Sequence, residues 1–109
     1  MSDGGDFADD RPDRMAEAEV PLVRVLKIVN KKGLHARPAA KFVQIVEQYD
    51  AQVRVVGQHE TVDGASILDL LTLSASPGTS ITVEATGLEA SAVLDALDKF
   101  VASGFDEQD

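Results

Sequence analysis

The stretch Asn30-Lys31-Lys32-Gly33-Leu34-His35-Ala36-Arg37-Pro38-Ala39-Ala40-Lys41-Phe42-Val43 changes character half-way along, from loop punctuation to a helical repeat. Asn30-Lys31-Lys32-Gly33 interrupts regular structure. From Ala36 to Tyr49, residues Ala36, Ala39, Ala40, Val43 and Val46 recur at spacings of three and four, and Phe42, Ile45 and Tyr49 widen the same stripe. That spacing predicts an amphipathic helix. Pro38 falls in its first turn, where a missing N–H costs little. His35 therefore stands at the point where loop becomes helix. Free backbone N–H groups and the helix dipole make such a point attractive to anions before any side chain is counted. Arg37 adds a planar, multidentate donor suited to phosphate oxygens, and Gly33 permits a backbone conformation that a β-carbon forbids.

Outward from this junction, the chain alternates strand and helix signals. Leu22 to Val29 is rich in Val, Leu and Ile and predicts a first strand. Beyond the helix, Val53 and Val55 alternate with Gln52 and Arg54, and a Gly57-Gln58-His59 turn leads into a short strand around Glu60 to Asp63. A short helix is expected from Ser66 to about Leu73, followed by a Ser-Pro-Gly-Thr loop and a strand in which Ile81, Val83 and Ala85 alternate with polar residues. Val93, Ala96, Leu97, Phe100 and Val101 then mark a last helix ending near Gly104. The order β-α-β-β-α-β-α fits an α+β domain with one mixed or antiparallel sheet and its helices on a single face. Alternating strands agree, since strands covered on both faces become continuously apolar.

A chain of 109 residues supports one domain of ordinary size, and with aromatics at 5% its core must rest on Val, Leu, Ile and Ala. The absence of cysteine removes disulfides, thiolate nucleophiles and thiolate metal sites, and no signal-peptide or membrane-spanning pattern is visible, so a cytoplasmic protein is expected. Residues 1–19 hold seven acids against Arg11 and Arg14, a net −5 of the total −9, and read as an acidic, disordered arm ahead of a domain over 20–109. The net charge argues against nucleic acid as a partner. Residues 20–46, by contrast, carry Arg24, Lys27, Lys31, Lys32, Arg37 and Lys41 and no acid.

An imidazole near its ordinary pKa of about 6.5 is mostly neutral at pH 7 and offers a nitrogen lone pair. His35 is thus a candidate nucleophile beside a cradle for the charge it would receive. His59 lies in a turn without a recognisable partner and reads as solvated; two histidines so placed make no metal site. Ser66, with Asp69 three residues later, has the form of a helix N-cap.

On Gly33-Leu34-His35-Ala36-Arg37-Pro38-Ala39-Ala40, and on Ser66-Ile67-Leu68 after the hairpin, the sequence resembles the HPr family, histidine phosphocarriers of the bacterial phosphoenolpyruvate-dependent phosphotransferase system. The resemblance spans about residues 22–105. It implies an open-faced sandwich of four antiparallel strands and three helices. It further implies phosphorylation of His35 at Nδ1 by phosphorylated enzyme I, with Arg37 steadying the phosphate, and onward transfer to enzyme IIA domains. No cofactor or metal is implied, and neither nucleic acid nor a membrane; the protein is expected to act as a monomer and as a stoichiometric carrier rather than an enzyme. Ser66 matches a serine that a dedicated kinase and phosphorylase modify in many members, while Ile67, Leu68 and Leu71 match positions used to dock partners. Core packing is an equal reading for Leu71. Asp69 stands where the family often has a neutral or basic residue. A regulatory binding module and a small-ligand sensor are the competing readings; the presence of both His35 and Arg37 favours phosphoryl relay, in sugar uptake or in a nitrogen-related regulatory branch.

Overall fold

Antiparallel pairing sets the architecture: a four-stranded sheet in the order β1-β4-β2-β3, built from β1 (Ala18–Lys27), β2 (Gln52–Val56), β3 (Thr61–Asp63) and β4 (Ser80–Gly87). Three helices complete it, α1 (Ala36–Glu47), α2 (Ile67–Thr72) and α3 (Ala90–Ala102). The computed structural model describes residues 18–107. Most of the acidic stretch read as a disordered arm lies outside them.

The predicted element order is the observed one. The first strand begins at Ala18 rather than about Leu22, because Ala18 pairs with Gly87 across an irregularity that separates it from the Leu22–Ala85 pair. The alternation in the other strands has the expected consequence: Val53 and Val55 on β2 and Ile81, Val83 and Ala85 on β4 are buried, with polar neighbours between them. Register aligns these positions, Val55 with Val83 and Val53 with Ala85 on one side, Leu26 with Ile81 on the other. The resulting apolar sheet face meets Phe42, Val43 and Val46 of α1 and Val93, Leu94, Leu97, Phe100 and Val101 of α3. Each fully buried side chain of this kind contributes roughly 1.5–3 kcal/mol. The opposite face of β1 leaves Val23 and Val25 in water.

Arg24 departs from the sequence reading. It points to the helix side of β1, where its guanidinium reaches Asp95 at 3.0 Å and Asp98 at 3.2 Å on α3. Asp95 foremost raises its pKa above the usual arginine value, and Asp98 adds to this against the opposing effect of burial. Arg24 is therefore a clamp between an edge strand and a helix, not part of a free basic region. Among the described residues no helix is long and apolar enough to cross a membrane.

Candidate functional site

The junction selected from sequence becomes a tightly held corner. Gly33 has φ +69°, a left-handed conformation, and a β-carbon there would lie 2.5 Å from the Ala75 carbonyl oxygen. The close approach lets the Leu34 N–H donate to that same oxygen at 2.9 Å, while Ile28 and Gly78–Thr79 exchange backbone hydrogen bonds on the other side of the loop. Leu34 is buried, so the corner is anchored by packing as well as by backbone pairing.

His35 is the N-cap of α1, with extended backbone (φ −108°, ψ −169°), and its carbonyl accepts the first helical bond from Ala39 N–H at 2.9 Å. Its side chain makes no capping bond, so the N–H groups of the first turn receive nothing from it. Pro38 is buried in that turn, while Arg37 is exposed and has no hydrogen bond or ion pair among the described residues. The guanidinium is thus available to an incoming anion.

The imidazole is held from the far end of the chain. Its Nε2 lies 2.6 Å from Glu107 Oε2. An ionised carboxylate only accepts hydrogen bonds, so Nε2 carries the proton and, in a neutral ring, Nδ1 carries the lone pair. The other carboxylate oxygen, Oε1, accepts from Asn30 Nδ2 at 2.8 Å, and the same amide donates to the Gly33 carbonyl at 2.9 Å. Both partners of that nitrogen are acceptors, which fixes the orientation of the amide. Asn30 is 1% exposed, and its Oδ1 is buried without a hydrogen-bond partner among the described residues. The hydrogen bond from Asn30, and then those of the His35 ring and the charge of Lys32, hold the Glu107 carboxyl below its usual value, against the opposing effect of desolvation.

Glu107 is delivered by an irregular turn after α3. Gly104, Phe105 and Asp106 have φ of +73°, +60° and +58° in succession. Left-handed backbone costs roughly 1–2 kcal/mol for a residue with a β-carbon, so two such residues in sequence need compensation. Phe105 supplies it by being buried beside Phe100 with ring centroids 5.3 Å apart, and its N–H donates to the Phe100 carbonyl at 3.0 Å. Ser103 Oγ lies 2.8 Å from Asp106 Oδ1 and 2.7 Å from the Phe100 carbonyl, two acceptors for its one proton, and Glu107 N–H closes on the Gly104 carbonyl at 3.1 Å. Neither Asn30 nor Glu107 stands out in the sequence as a site residue; Asn30 reads as turn punctuation, and Glu107 belongs to no motif.

Ser66 is the N-cap of α2 and its Oγ accepts from Asp69 N–H at 3.2 Å. The reciprocal half of a capping box is missing, since the Asp69 carboxylate takes the N–H of Asp63 at 3.4 Å instead. Ile67 and Leu68 are exposed, 40% and 75%, whereas Leu71 is half-buried against the core and Leu70 fully buried. His59 is exposed in the β2–β3 turn.

These features coincide with what the chain is similar to. The family described as "PTS HPr component phosphorylation site" matches residues 23–103. The sequence is 42% identical to phosphocarrier protein HPr of Pseudomonas aeruginosa over 83 residues, 75% of this chain and 92% of the relative. It is 40% identical to phosphocarrier protein NPr of Shewanella violacea over 86 residues, 79% of this chain and 94% of the relative. Among solved structures, HPr of Thermoanaerobacter tengcongensis superposes with a TM-score of 0.76 at 33% identity, covering 80% of this chain and 98% of that one. The chain belongs to the HPr family, the phosphocarriers of the bacterial phosphotransferase system.

Proposed function

We propose that His35 is the phosphoryl acceptor, attacking through Nδ1, and that the protein takes the group from phosphorylated enzyme I and gives it to enzyme IIA domains in the cytoplasm. The observation that carries this reading is the combination at one corner of an imidazole whose Nε2 is occupied by Glu107, leaving Nδ1 for attack, with a first turn of α1 that the His35 side chain does not cap and an exposed Arg37 that is unpaired among the described residues. As the donor's bond to phosphorus breaks, the Nδ1–P bond forms. Arg37 and the first-turn N–H groups stabilise the phosphoryl oxygens in passage. The reverse displacement on an acceptor returns the lone pair to Nδ1, so the protein is a stoichiometric carrier in the relay rather than an enzyme acting on a substrate of its own.

Relatives named HPr and NPr match at 42% and 40% identity, so the acceptors belong either to sugar uptake or to a nitrogen-related regulatory branch. Ser66, at the head of α2 beside exposed Ile67 and Leu68, is the proposed regulatory position, and this trio the proposed docking surface. Leu71 is assigned to that surface only at its margin, since it packs against the core.

Incubation with enzyme I and phosphoenolpyruvate tests the central step. The wild-type chain should gain one acid-labile phosphate and His35→Ala none. Arg37→Ala should be phosphorylated more slowly, by about tenfold or more, because one charged donor to the transition state is lost while the nucleophile remains. Phosphate on the His35→Ala chain would refute the assignment.

A further inference from the structure

We infer that Glu107 is a positioning residue for phosphoryl transfer: held by buried Asn30 and by the left-handed turn Gly104-Phe105-Asp106, its carboxylate fixes the His35 ring in the Nε2–H form and leaves Nδ1 as the nucleophile. This rests on the phosphocarrier reading above and adds to it a defined second partner for the ring.

Three independent features of the structure converge on one carboxylate. The first is the contact itself, 2.6 Å from Nε2 to Oε2, with the Glu107 side chain 16% and the His35 side chain 34% exposed. The second is Asn30, a fully buried amide whose nitrogen is divided between Glu107 and the Gly33 carbonyl, tying the carboxylate to the loop that carries His35. Burying that amide leaves its own Oδ1 unpaired, a cost that packing does not require, since an apolar side chain would fill the site without it. The third is two successive non-glycine residues in left-handed backbone, at the place that determines where Glu107 points. An unsatisfied acceptor on the amide that holds the carboxylate and a strained turn that delivers it are accounted for together if its position matters to the ring.

The chemistry gives it a role at each stage. In the resting state the carboxylate selects the tautomer, because it accepts from N–H and repels a bare nitrogen lone pair. As Nδ1 takes the phosphoryl group, positive charge develops on the ring, and the carboxylate faces it through the Nε2–H bond. The proton stays on Nε2 throughout, so attack and release need no proton transfer. An orienting carboxylate behind a histidine serves hydrolytic triads by the same logic.

Glu107→Gln is the informative change. The amide keeps the size of the carboxylate but can accept on one side only; with its oxygen toward Asn30, it turns an N–H toward the ring and favours protonation at Nδ1. The imidazole nitrogens of 15N-labelled His35, read by NMR above pH 8, should report mostly Nε2–H in the wild type and a raised Nδ1–H population in the variant. Phosphorylation by enzyme I should slow by about tenfold, a modest fraction of the effect of losing His35. Melting at neutral pH checks that both chains are folded. Wild-type tautomer and rate in Glu107→Gln, or a changed tautomer without a slower rate, would each overturn the inference while leaving His35 as acceptor intact. Phosphorylation elsewhere on His35→Ala would instead overturn the phosphocarrier assignment, and the NMR reading of Glu107 would stand apart from it.

Discussion

Glu107 and His35 are 72 positions apart in the chain and 2.6 Å apart in space. The carboxyl of Glu107 is held below its ordinary value of 4.5, first by the Asn30 amide and then by the His35 ring. A group whose pKa is lower when folded adds stability above its unfolded value and loses it as the pH falls through the folded one. The wild-type chain should therefore melt higher than Glu107→Gln at about pH 6, and the two melting temperatures should converge as the pH falls below the ordinary carboxyl value of 4.5 and through the lowered one. A gap that stays constant over that range would deny the carboxylate its folded partners. At this scale the sequence is legible in part. The placing of Gly33 in a left-handed turn, of His35 at the start of the helix and of Arg37 and Pro38 in its first turn follows from local rules about turns and helix starts, and the structure has them there. Asn30 and Glu107 obey no local rule, since what makes each of them matter is a neighbour that only the folded chain supplies.

The boundary of α2 is also the proposed regulatory position. Its cap is Ser66 Oγ accepting from Asp69 N–H, so negative charge placed at the cap is compatible with the helix. Ser66→Asp should keep the circular dichroism spectrum yet slow His35 phosphorylation by enzyme I at low salt, because new charge appears beside exposed Ile67 and Leu68 on the proposed docking surface. The defect should shrink at high salt as long-range repulsion is screened. Identical low-salt kinetics in the two proteins would reduce Ser66 to a structural cap. Element types and order are legible throughout, because apolar spacing records which face each segment buries. The early start of β1 is not, since Ala18-Glu19-Val20-Pro21 has no strand pattern of its own and joins the strand through Gly87 across an irregular register. Nor is the order β1-β4-β2-β3, which depends on partners rather than propensities.

For the molecule as a whole, the inner position of β4 has a kinetic consequence. Among the described residues β1 hydrogen-bonds to no strand but β4, and β2 has only the three-residue β3 until β4 is present. A chain cut after Thr79 should thus lack a cooperative thermal transition, and a sigmoidal melt from it would contradict this dependence. On the ribosome the same order imposes a wait. At roughly 5–20 residues per second, several seconds separate the synthesis of Lys27 from that of Ser80, and β1 has no strand to pair with in that interval. Val23 and Val25, exposed even in the finished fold, are then part of an unpaired strand open to other chains. Glu107 follows α3 and closes on His35 after every strand has been made, so the corner proposed to carry phosphate is among the last parts of the protein to take shape.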